Sequence, residues 1–239
     1  MGHAPNKAFL NALGNNIIIM ISVTVGVILI ALPLALAMNR ATRGVTAFRS
    51  LLLLPMVTAG IAVYYVWSLI YQPDGLLNSL LRAFGLEALA PKDGWLANIH
   101  TALPALIVVM IWAGVPLAML LYLAGLQTIP QELMEASIVD GAGAWDRLRR
   151  IVWPLLRPVT VIIIITTLST ALQGYEMPLL MTDGGPTDHT MVVGLLVYKK
   201  AFGGWGTPAM GAASAYGWIL FILGLGLSVL SLRSMRALD

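Results

Sequence analysis

Three neighbouring side chains near the end of a long apolar segment have the chemistry to contact a polar solute: Gln173, Tyr175 and Glu176. An ionisable group at membrane depth is costly and usually faces a cavity, so Glu176 is a candidate for a solute pathway. Gln173 and Tyr175 can each hydrogen-bond solute hydroxyl groups. The alternative is that Glu176 lies at the membrane boundary and contacts only water. Aromatic side chains that could stack on a solute ring, but that packing in the core explains more simply, are Tyr64, Tyr65 and Trp112.

The sequence lacks the residues of several other kinds of site. It contains no cysteine, which excludes disulfides, thiolate metal sites and a cysteine nucleophile. Its three histidines, His3, His100 and His189, are far apart and share no ligand spacing. The phosphate-binding string G-x-x-x-x-G-K-[ST] is also missing. We therefore predict no catalytic residue, no metal site and no cofactor bound by this chain, and we predict that the chain is not an ATPase.

The elements that position these side chains are predicted to be membrane helices. The 239 residues are 59% hydrophobic and 10% charged, with a mean hydropathy of +0.85, whereas soluble domains are about 25% charged. A chain so poor in charge could not cover a water-exposed surface, which disfavours a secreted domain, a cytosolic enzyme and a disordered chain. Stretches without charged residues predict one membrane domain, 1–239, with about five transmembrane helices at roughly 16–38, 51–71, 102–124, 159–181 and 210–232.

The distribution of basic residues predicts the orientation. Nine of the 14 Lys and Arg residues fall on one side of the predicted helices, grouped next to helix ends. The positive-inside rule places that side in the cytoplasm, together with the C-terminus, and the N-terminus outside. No Lys/Arg run is long enough to predict a nucleic-acid surface. The outer loops are then about 72–101 and 182–209, and the aromatic residues expected to anchor near their boundaries are Trp67, Tyr71, Trp95 and Trp205.

The inner segment 125–158 is longer and more patterned than a connecting loop requires. Thr128 is expected to cap a helix, with Gln131 completing a capping box, and an apolar side continues to Asp140. After two glycines a second amphipathic stretch is predicted, with arginines opposite its apolar side and two prolines that stop it. Its residues are Trp145, Arg147, Leu148, Arg149, Arg150, Ile151, Val152, Pro154 and Pro158. Such a helix pair either rests on lipid headgroups or docks in a groove of a cytoplasmic partner.

Part of this segment resembles the EAA motif of ABC importer permeases. The matching residues are Glu135, Ala136, Ser137, Asp140, Gly141, Ala142, Ile151 and Pro154. Ser137 replaces the usual alanine, a small change that should leave the helix packing nearly intact. The resemblance implies a coupling helix that seats in a cleft of an ATP-binding subunit. Glu135 is expected to form a salt bridge or a cap there, and Asp140 and Gly141 are expected to set the bend.

Other residues of the segment receive roles from the same resemblance. Ala136 and Ala142 are small enough to let the bend seat closely against a partner. Arg147, Arg149 and Arg150 are expected to face either acidic groups on the partner or lipid phosphates.

The outer segments resemble a narrower branch of the family. Met181–Pro186, which contains Gly184, Gly185 and Pro186, is similar to an outer loop of sugar and glycerol-phosphate permeases. The residues that continue the match after this loop are Thr190, Tyr198, Ala201 and Phe202. Tyr71–Asn78 resembles another outer-loop signature of that branch. The G-G-P loop implies the F-like partner of a maltose-type permease heterodimer.

The resemblance implies an all-α polytopic membrane protein with the type I ABC importer transmembrane fold. The chain is then expected to form half of a translocation pathway for a carbohydrate or related solute. Expected partners are a second permease, an ATPase dimer that binds ATP and Mg, an external solute-binding protein and lipid, but no nucleic acid. The expected location is the bacterial inner membrane. Family members usually have six transmembrane helices and a cytoplasmic N-terminus. The first of the five helices predicted here corresponds to the second helix of the family. Either the family's first helix is absent from this protein or the sequence is truncated.

Two other classes of membrane protein are considered. A membrane-embedded enzyme would need clustered polar groups inside its membrane helices, whereas Glu176 is the only acidic residue in any predicted transmembrane helix. An ion-coupled secondary transporter normally has internal repeats or carboxylate relays, and the sequence shows neither. Small residues on the last predicted helix favour close contact with a second permease: Gly211, Ala212, Ala213, Ser214, Ala215 and Gly217.

Overall fold

The computed structural model describes residues 5–40, 60–203 and 207–236, and within these ranges the chain forms helices and no β-strand. In chain order the α-helices are α1 (Pro5–Arg40), α2 (Gly60–Ile70), α3 (Leu76–Ala83), α4 (Ala102–Gln127), α5 (Gln131–Val139), α6 (Ala144–Arg147), α7 (Trp153–Leu155), α8 (Arg157–Gln173), α9 (Glu176–Met181), α10 (Val193–Phe202) and α11 (Met210–Arg236). A 3₁₀ turn occupies Glu87–Leu89, and Leu148–Val152 is π-helical, joining α6 to α7 without a break. Three residues with a predicted location lie outside the described residues: Arg43 and Arg49, two of the nine basic residues predicted on the inner side, and the predicted anchor Trp205.

Three of the described helices are long and apolar enough to cross a membrane. Their apolar stretches are Lys7–Asn39, Ala102–Gln127 and Met210–Val229. They overlap the helices predicted at 16–38, 102–124 and 210–232, although α1 begins before residue 16 and α11 continues to Arg236. The helix predicted at 51–71 is described only from Gly60 to Ile70, because 51–59 lie outside the described residues.

The helix predicted at about 159–181 is interrupted near Pro178, a residue that favours a bent or broken helix end. Helix α8 ends at Gln173, Gly174 has an extended backbone (ψ 109°), and α9 begins at Glu176. Pro178 explains the position of this break, because in a continuous helix it could not donate to the Gly174 carbonyl and its ring would clash with that group. In α9 the same proline lies in the first turn, where a helix does not need the missing N–H.

The core lies where α1 packs lengthwise against α4 and crosses α8. Helix α1 has 36 residues, a length of about 54 Å. Ala12, Ala31 and Ala35 are fully buried. A Cβ added to Gly26 would collide with the Ile111 side chain, so that side chain lies directly against the backbone of α1. Small residues at such contacts are the usual means of packing membrane helices.

A second, smaller core joins α2, α4 and α9. Tyr71 is buried in it with Leu106 and Met177, and the Tyr71 hydroxyl donates to the Ala105 carbonyl at 3.1 Å. This core holds α2 beside the break between α8 and α9. The segment that carries Gln173, Tyr175 and Glu176 thus contacts both cores, through Tyr175 on the first and Met177 in the second.

Candidate functional site

One candidate site is the bent segment Gln131–Leu155, which we call the docking segment. It follows α4 directly, but the predicted capping box at Thr128 is wrong. The Thr128 hydroxyl donates to the Gly125 carbonyl at 2.8 Å and so closes the end of α4. Pro130 directly precedes the first turn of α5. A proline disfavours helical backbone in the residue before it, here Ile129, so α4 does not run on into α5.

Gly141 forms the bend of the docking segment. Its φ is +77°, a value that glycine adopts without strain. The Gly141 N–H donates to the Ile138 carbonyl at 3.0 Å, and the Ala142 N–H donates to the Ser137 carbonyl at 2.9 Å. These two bonds form the Schellman arrangement that ends many helices. The bend is thus formed by local backbone hydrogen bonds, and Asp140 is the C-cap residue between the end of α5 and Gly141.

Ser137 is the buried residue of this bend. Its hydroxyl donates to the Met134 carbonyl at 2.6 Å, so the side chain is satisfied without a contact outside α5. A serine therefore fits where the motif usually has alanine, because its extra polar atom has a partner within the same turn.

The docking segment exposes large apolar side chains. Val139 is 87% exposed, Trp145 71% and Ile138 58%. Charged side chains lie among them, and Arg150 pairs with Asp146 at 3.4 Å across one helical turn. This exposed pair contributes little stability, since such pairs are worth about 0–1 kcal/mol. The other predicted residues are exposed (Glu135, Ala136, Asp140, Gly141, Arg149) or half-buried (Ala142, Arg147, Pro154).

The docking segment leads into α8 through a sharp bend. The axes of Ala144–Leu155 and Arg157–Gln173 differ by 65°, and the residue between them, Leu156, is fully buried. The second amphipathic stretch ends at Leu155, and Pro158 lies in the first turn of the next helix, α8, as the prediction that a proline stops the stretch requires. Pro154 does not stop the stretch, because the helical run that begins at Ala144 continues past it to Leu155.

A second candidate site is a cavity of about 550 Å³ beside the break between α8 and α9. The structure brings Gln173, Tyr175 and Glu176 together on its wall, and Tyr64 joins them from α2. Tyr65 and Trp112 are not on this wall. The full lining is Val23, Tyr64, Met110, Ala113, Gly114, Leu117, Ala118, Leu121, Ile163, Thr166, Thr167, Thr170, Ala171, Gln173, Gly174, Tyr175, Glu176 and Met177.

Sequence reasoning missed the threonines of this cavity. The Thr166 hydroxyl donates to the Ile162 carbonyl at 2.9 Å, and the Thr170 hydroxyl donates to the Thr166 carbonyl at 2.9 Å. Each hydroxyl keeps acceptor capacity after donating to its own helix. Their spacing of four residues on an apolar helix was the signal that could have identified them.

Asn16 holds the break in place, and sequence reasoning did not identify it either. It is fully buried, and its amide nitrogen donates to the carbonyls of Ala171 and Leu172 at 3.4 and 3.3 Å. Its amide oxygen accepts from the Val193 N–H at 2.8 Å. One side chain of α1 thus satisfies the last turn of α8 and the first turn of α10, which are helix ends that lack internal partners.

The predicted outer loop at Gly184, Gly185 and Pro186 is folded against α10. Gly184 has a φ of +82° and is buried, and the Gly185–Pro186 peptide bond is cis. The Thr190 hydroxyl donates to the Gly185 carbonyl at 2.7 Å. Lys199 is 5% exposed, and its ammonium lies 2.8 Å from the Asp183 carboxylate and donates to the Asp183 carbonyl at 2.6 Å.

Comparison with known proteins places this arrangement in a family. Residues 16–239 match the family described as "binding-protein-dependent transport system inner membrane component". The chain belongs to this family of permeases. Membership confirms the resemblance inferred from the EAA-like segment, and with it a multi-pass membrane protein that acts as a transport subunit.

Curated relatives of this permease are about one-third identical to it. A probable ABC transporter permease of Pyrococcus horikoshii is 30% identical over 81% of this chain and 66% of its own length. The multiple sugar-binding transport system permease MsmF of Streptococcus mutans is 31% identical over 97% and 77%. The trehalose/maltose transport system permease MalF of Thermococcus litoralis is 32% identical over 87% and 68%. The chain thus spans just under two thirds of the first relative's length.

Solved structures confirm the fold. The permease superposes on a chain of a bacterial alginate ABC transporter, crystallised with an alginate pentasaccharide-bound periplasmic protein, with a TM-score of 0.83 and 23% identity, covering 97% of this chain and 80% of that one. A chain of the MetNI methionine ABC transporter gives a TM-score of 0.67 with 15% identity and full coverage of both chains. The predicted type I importer fold is therefore correct.

Proposed function

We propose that this permease forms half of the translocation pathway of an ABC importer for a carbohydrate or related solute. A second permease forms the other half, with this chain as the F-like partner, and an external binding protein delivers the solute. A separate ATPase dimer binds ATP and Mg, and it also binds the docking segment. The permease lies in a bacterial inner membrane with its C-terminus in the cytoplasm.

The observation that carries the proposal is the direct connection between the docking segment and the cavity. Large apolar side chains are exposed on both sides of the bend in the docking segment: Ile138, Val139 and Trp145. Burying one such side chain is worth about 1.5–3 kcal/mol, so a partner groove that covers them would bind the bend firmly. The segment continues through Leu156 into α8, and α8 carries Thr166, Thr170 and Gln173 on the cavity wall.

The chemistry of the cavity supports a polyhydroxylated solute. Its wall combines hydroxyl, amide and carboxylate groups with two tyrosine rings, which suits hydrogen bonding and stacking by a sugar. Its volume falls in the range of about 300–1,000 Å³ typical of small-ligand sites. The names of the Streptococcus and Thermococcus relatives, both of which refer to sugars, point the same way.

The experiment is ATP-driven uptake and ATPase binding by the reconstituted transporter with single substitutions at the bend. Gly141→Ala forces a Cβ onto a left-handed backbone, a strain of about 1–2 kcal/mol. The free segment can relieve this strain by leaving the left-handed conformation, and binding must then restore it, so ATPase affinity is expected to fall by up to about 5- to 30-fold. No atom lies within 4 Å of the added Cβ, so steric collision inside this chain is not the cause. Gly141→Asn should retain affinity, since asparagine tolerates this backbone.

Gly143→Ala is the matched control within the same bend. Gly143 has a φ of −65°, and an added Cβ would lie 3.8 Å from the Asp146 carboxylate. This variant should bind the ATPase and transport as the unsubstituted protein does. Equal losses for Gly141→Ala and Gly143→Ala would contradict the role of the bend. Uptake that continues without ATP and without an ATPase subunit would contradict the proposed function and favour an ion-coupled transporter.

A further inference from the structure

Helix α3 exposes an apolar ridge that the described part of the chain does not cover. Leu76 is 59% exposed, Leu80 46% and Phe84 77%. These residues are spaced by four, so they lie along one side of the helix. On the opposite side of the helix Asn78 is fully buried against the protein, and one turn further along that side the exposed Arg82 pairs with Asp74 at 3.3 Å.

The position of α3 relative to α2 is fixed by a tight turn. A Cβ added to Gly75 would lie 2.5 Å from the carbonyl oxygens of Leu69 and Ile70, so the start of α3 abuts the last turn of α2. The Gly75 N–H also donates to the Gln72 carbonyl at 2.9 Å. Because α2 is an apolar helix of a membrane protein, α3 begins at the level where that helix ends.

Trp95 and Asn78 hold α3 in this orientation. The Trp95 ring N–H donates to the Asn78 amide oxygen at 2.7 Å, and the Trp95 backbone N–H donates to the Tyr71 carbonyl at 3.0 Å. The Asn78 amide nitrogen donates to the carbonyls of Pro73 and Pro91 at 3.0 and 3.1 Å. Tryptophan and tyrosine are enriched where a membrane meets water, so this cluster indicates that α3 lies at that boundary.

The exposed ridge follows, along the chain, the exposed apolar surface of α2. On α2 that surface includes Ile61, Val66 and Leu69, each more than half exposed. Beyond α3 the chain turns at Gly85 (φ +72°) and adds Leu86 and Leu89 to the exposed apolar residues. Exposed apolar residues thus follow one another along α2, the ridge and the turn beyond it, with the exposed polar residues Gln72 and Asp74 in the turn between the two helices.

We propose that α3 is an interfacial helix whose ridge, Leu76, Leu80 and Phe84, lies among lipid headgroups and acyl chains. An amphipathic helix at a membrane surface buries its apolar side in this way. Lipid is the occupant that fits, because the ridge bears no charge and a tight turn joins it to a helix whose own apolar side chains are exposed. Arg82 then points to water, and α3 fixes the depth at which α2 sits in the membrane.

The absence of native cysteine allows spin labels to be placed one at a time. Leu80→Cys and, as an independent variant, Phe84→Cys are labelled in the assembled transporter in phosphatidylcholine vesicles. Arg82→Cys is the matched variant on the opposite side of the same helix. Leu69→Cys gives the apolar-helix reference, and Asp93→Cys, at an exposed turn, gives the water reference. Collisions of each label with dissolved oxygen and with a water-soluble nickel reagent are measured by electron paramagnetic resonance.

The labels at positions 80 and 84 are expected to lose almost all nickel collisions while retaining oxygen collisions, as the label at 69 does. The label at 82 should match that at 93. Nickel collisions at 80 and 84 equal to those at 93 would overturn the proposal. Low collision rates with both reagents would assign the ridge to a protein contact and also overturn it, as would nickel protection that arises only after an external solute-binding protein is added.

Discussion

Asn16→Ala is expected to destabilise the permease more than any other replacement of an asparagine by alanine in α1. The Asn16 side chain is fully buried and makes three hydrogen bonds to two other helices. Alanine removes both its donor and its acceptor and adds no new partner. The backbone groups of Ala171, Leu172 and Val193 then lose the bonds that α1 supplies.

The magnitude follows from the geometry of those bonds. The bond from Val193 is 2.8 Å long, and leaving its buried donor unpaired costs about 1–3 kcal/mol. The two bonds to α8 are longer, 3.4 and 3.3 Å, and each contributes about 0.5 kcal/mol. The expected loss is therefore about 2–4 kcal/mol in the free energy of unfolding. For a chain of this size that lowers the melting temperature by roughly 5–15 °C.

The assay is thermal unfolding in detergent, followed by the fluorescence of the seven tryptophans. Asn39→Ala, an exposed asparagine of the same helix, is the control and should leave the melting temperature nearly unchanged. Hydrogen exchange gives a local measure, because the Val193 amide should exchange faster in Asn16→Ala alone. Equal melting temperatures for the two variants, or unchanged exchange at Val193, would refute the role assigned to Asn16.

Two further predictions concern the loop that packs on α10. Lys199→Met should raise the rate of thermolysin cleavage within 182–192, where Met191 and Val192 are the apolar residues that thermolysin prefers, because it removes the charged contacts to Asp183. Asp183→Asn should have a smaller effect, since the Asp183 carbonyl remains as an acceptor, and equal cleavage rates for the two variants would contradict this. Gly184→Ala should lower the melting temperature, because its φ is +82° and its Cβ would meet Met191, and the strain alone is about 1–2 kcal/mol. Gly211→Ala, with no atom within 4 Å of its Cβ, should not lower it, and a similar loss there would argue against backbone strain at Gly184.

Local chemistry made the docking segment predictable. Gly141 was expected to set the bend with Asp140, and it lies at the bend with a φ of +77°. The trio Gln173, Tyr175 and Glu176 was placed on a solute pathway by residue type, and the cavity wall contains all three. That these residues act on a solute, and that the docking segment meets an ATPase, stay predictions.

The break after Gln173 could not be predicted from apolar composition. A window of hydrophobic residues has the same composition whether it is straight or broken, and only Pro178 marked the interruption. Asn16 was missed for a related reason. Its partners Ala171 and Val193 are more than 150 residues away in the chain, and no local pattern reports a contact of that range.

The buried bend at Leu156 makes α8 a lever with its pivot at the docking segment. The helix has 17 residues, which is about 25 Å from pivot to tip. A rotation of about 10° around the pivot would shift the Gly174 end by about 4 Å on this length. That distance exceeds the diameter of a water molecule, about 2.8 Å, so a small tilt at one end is enough to open or close a passage at the other.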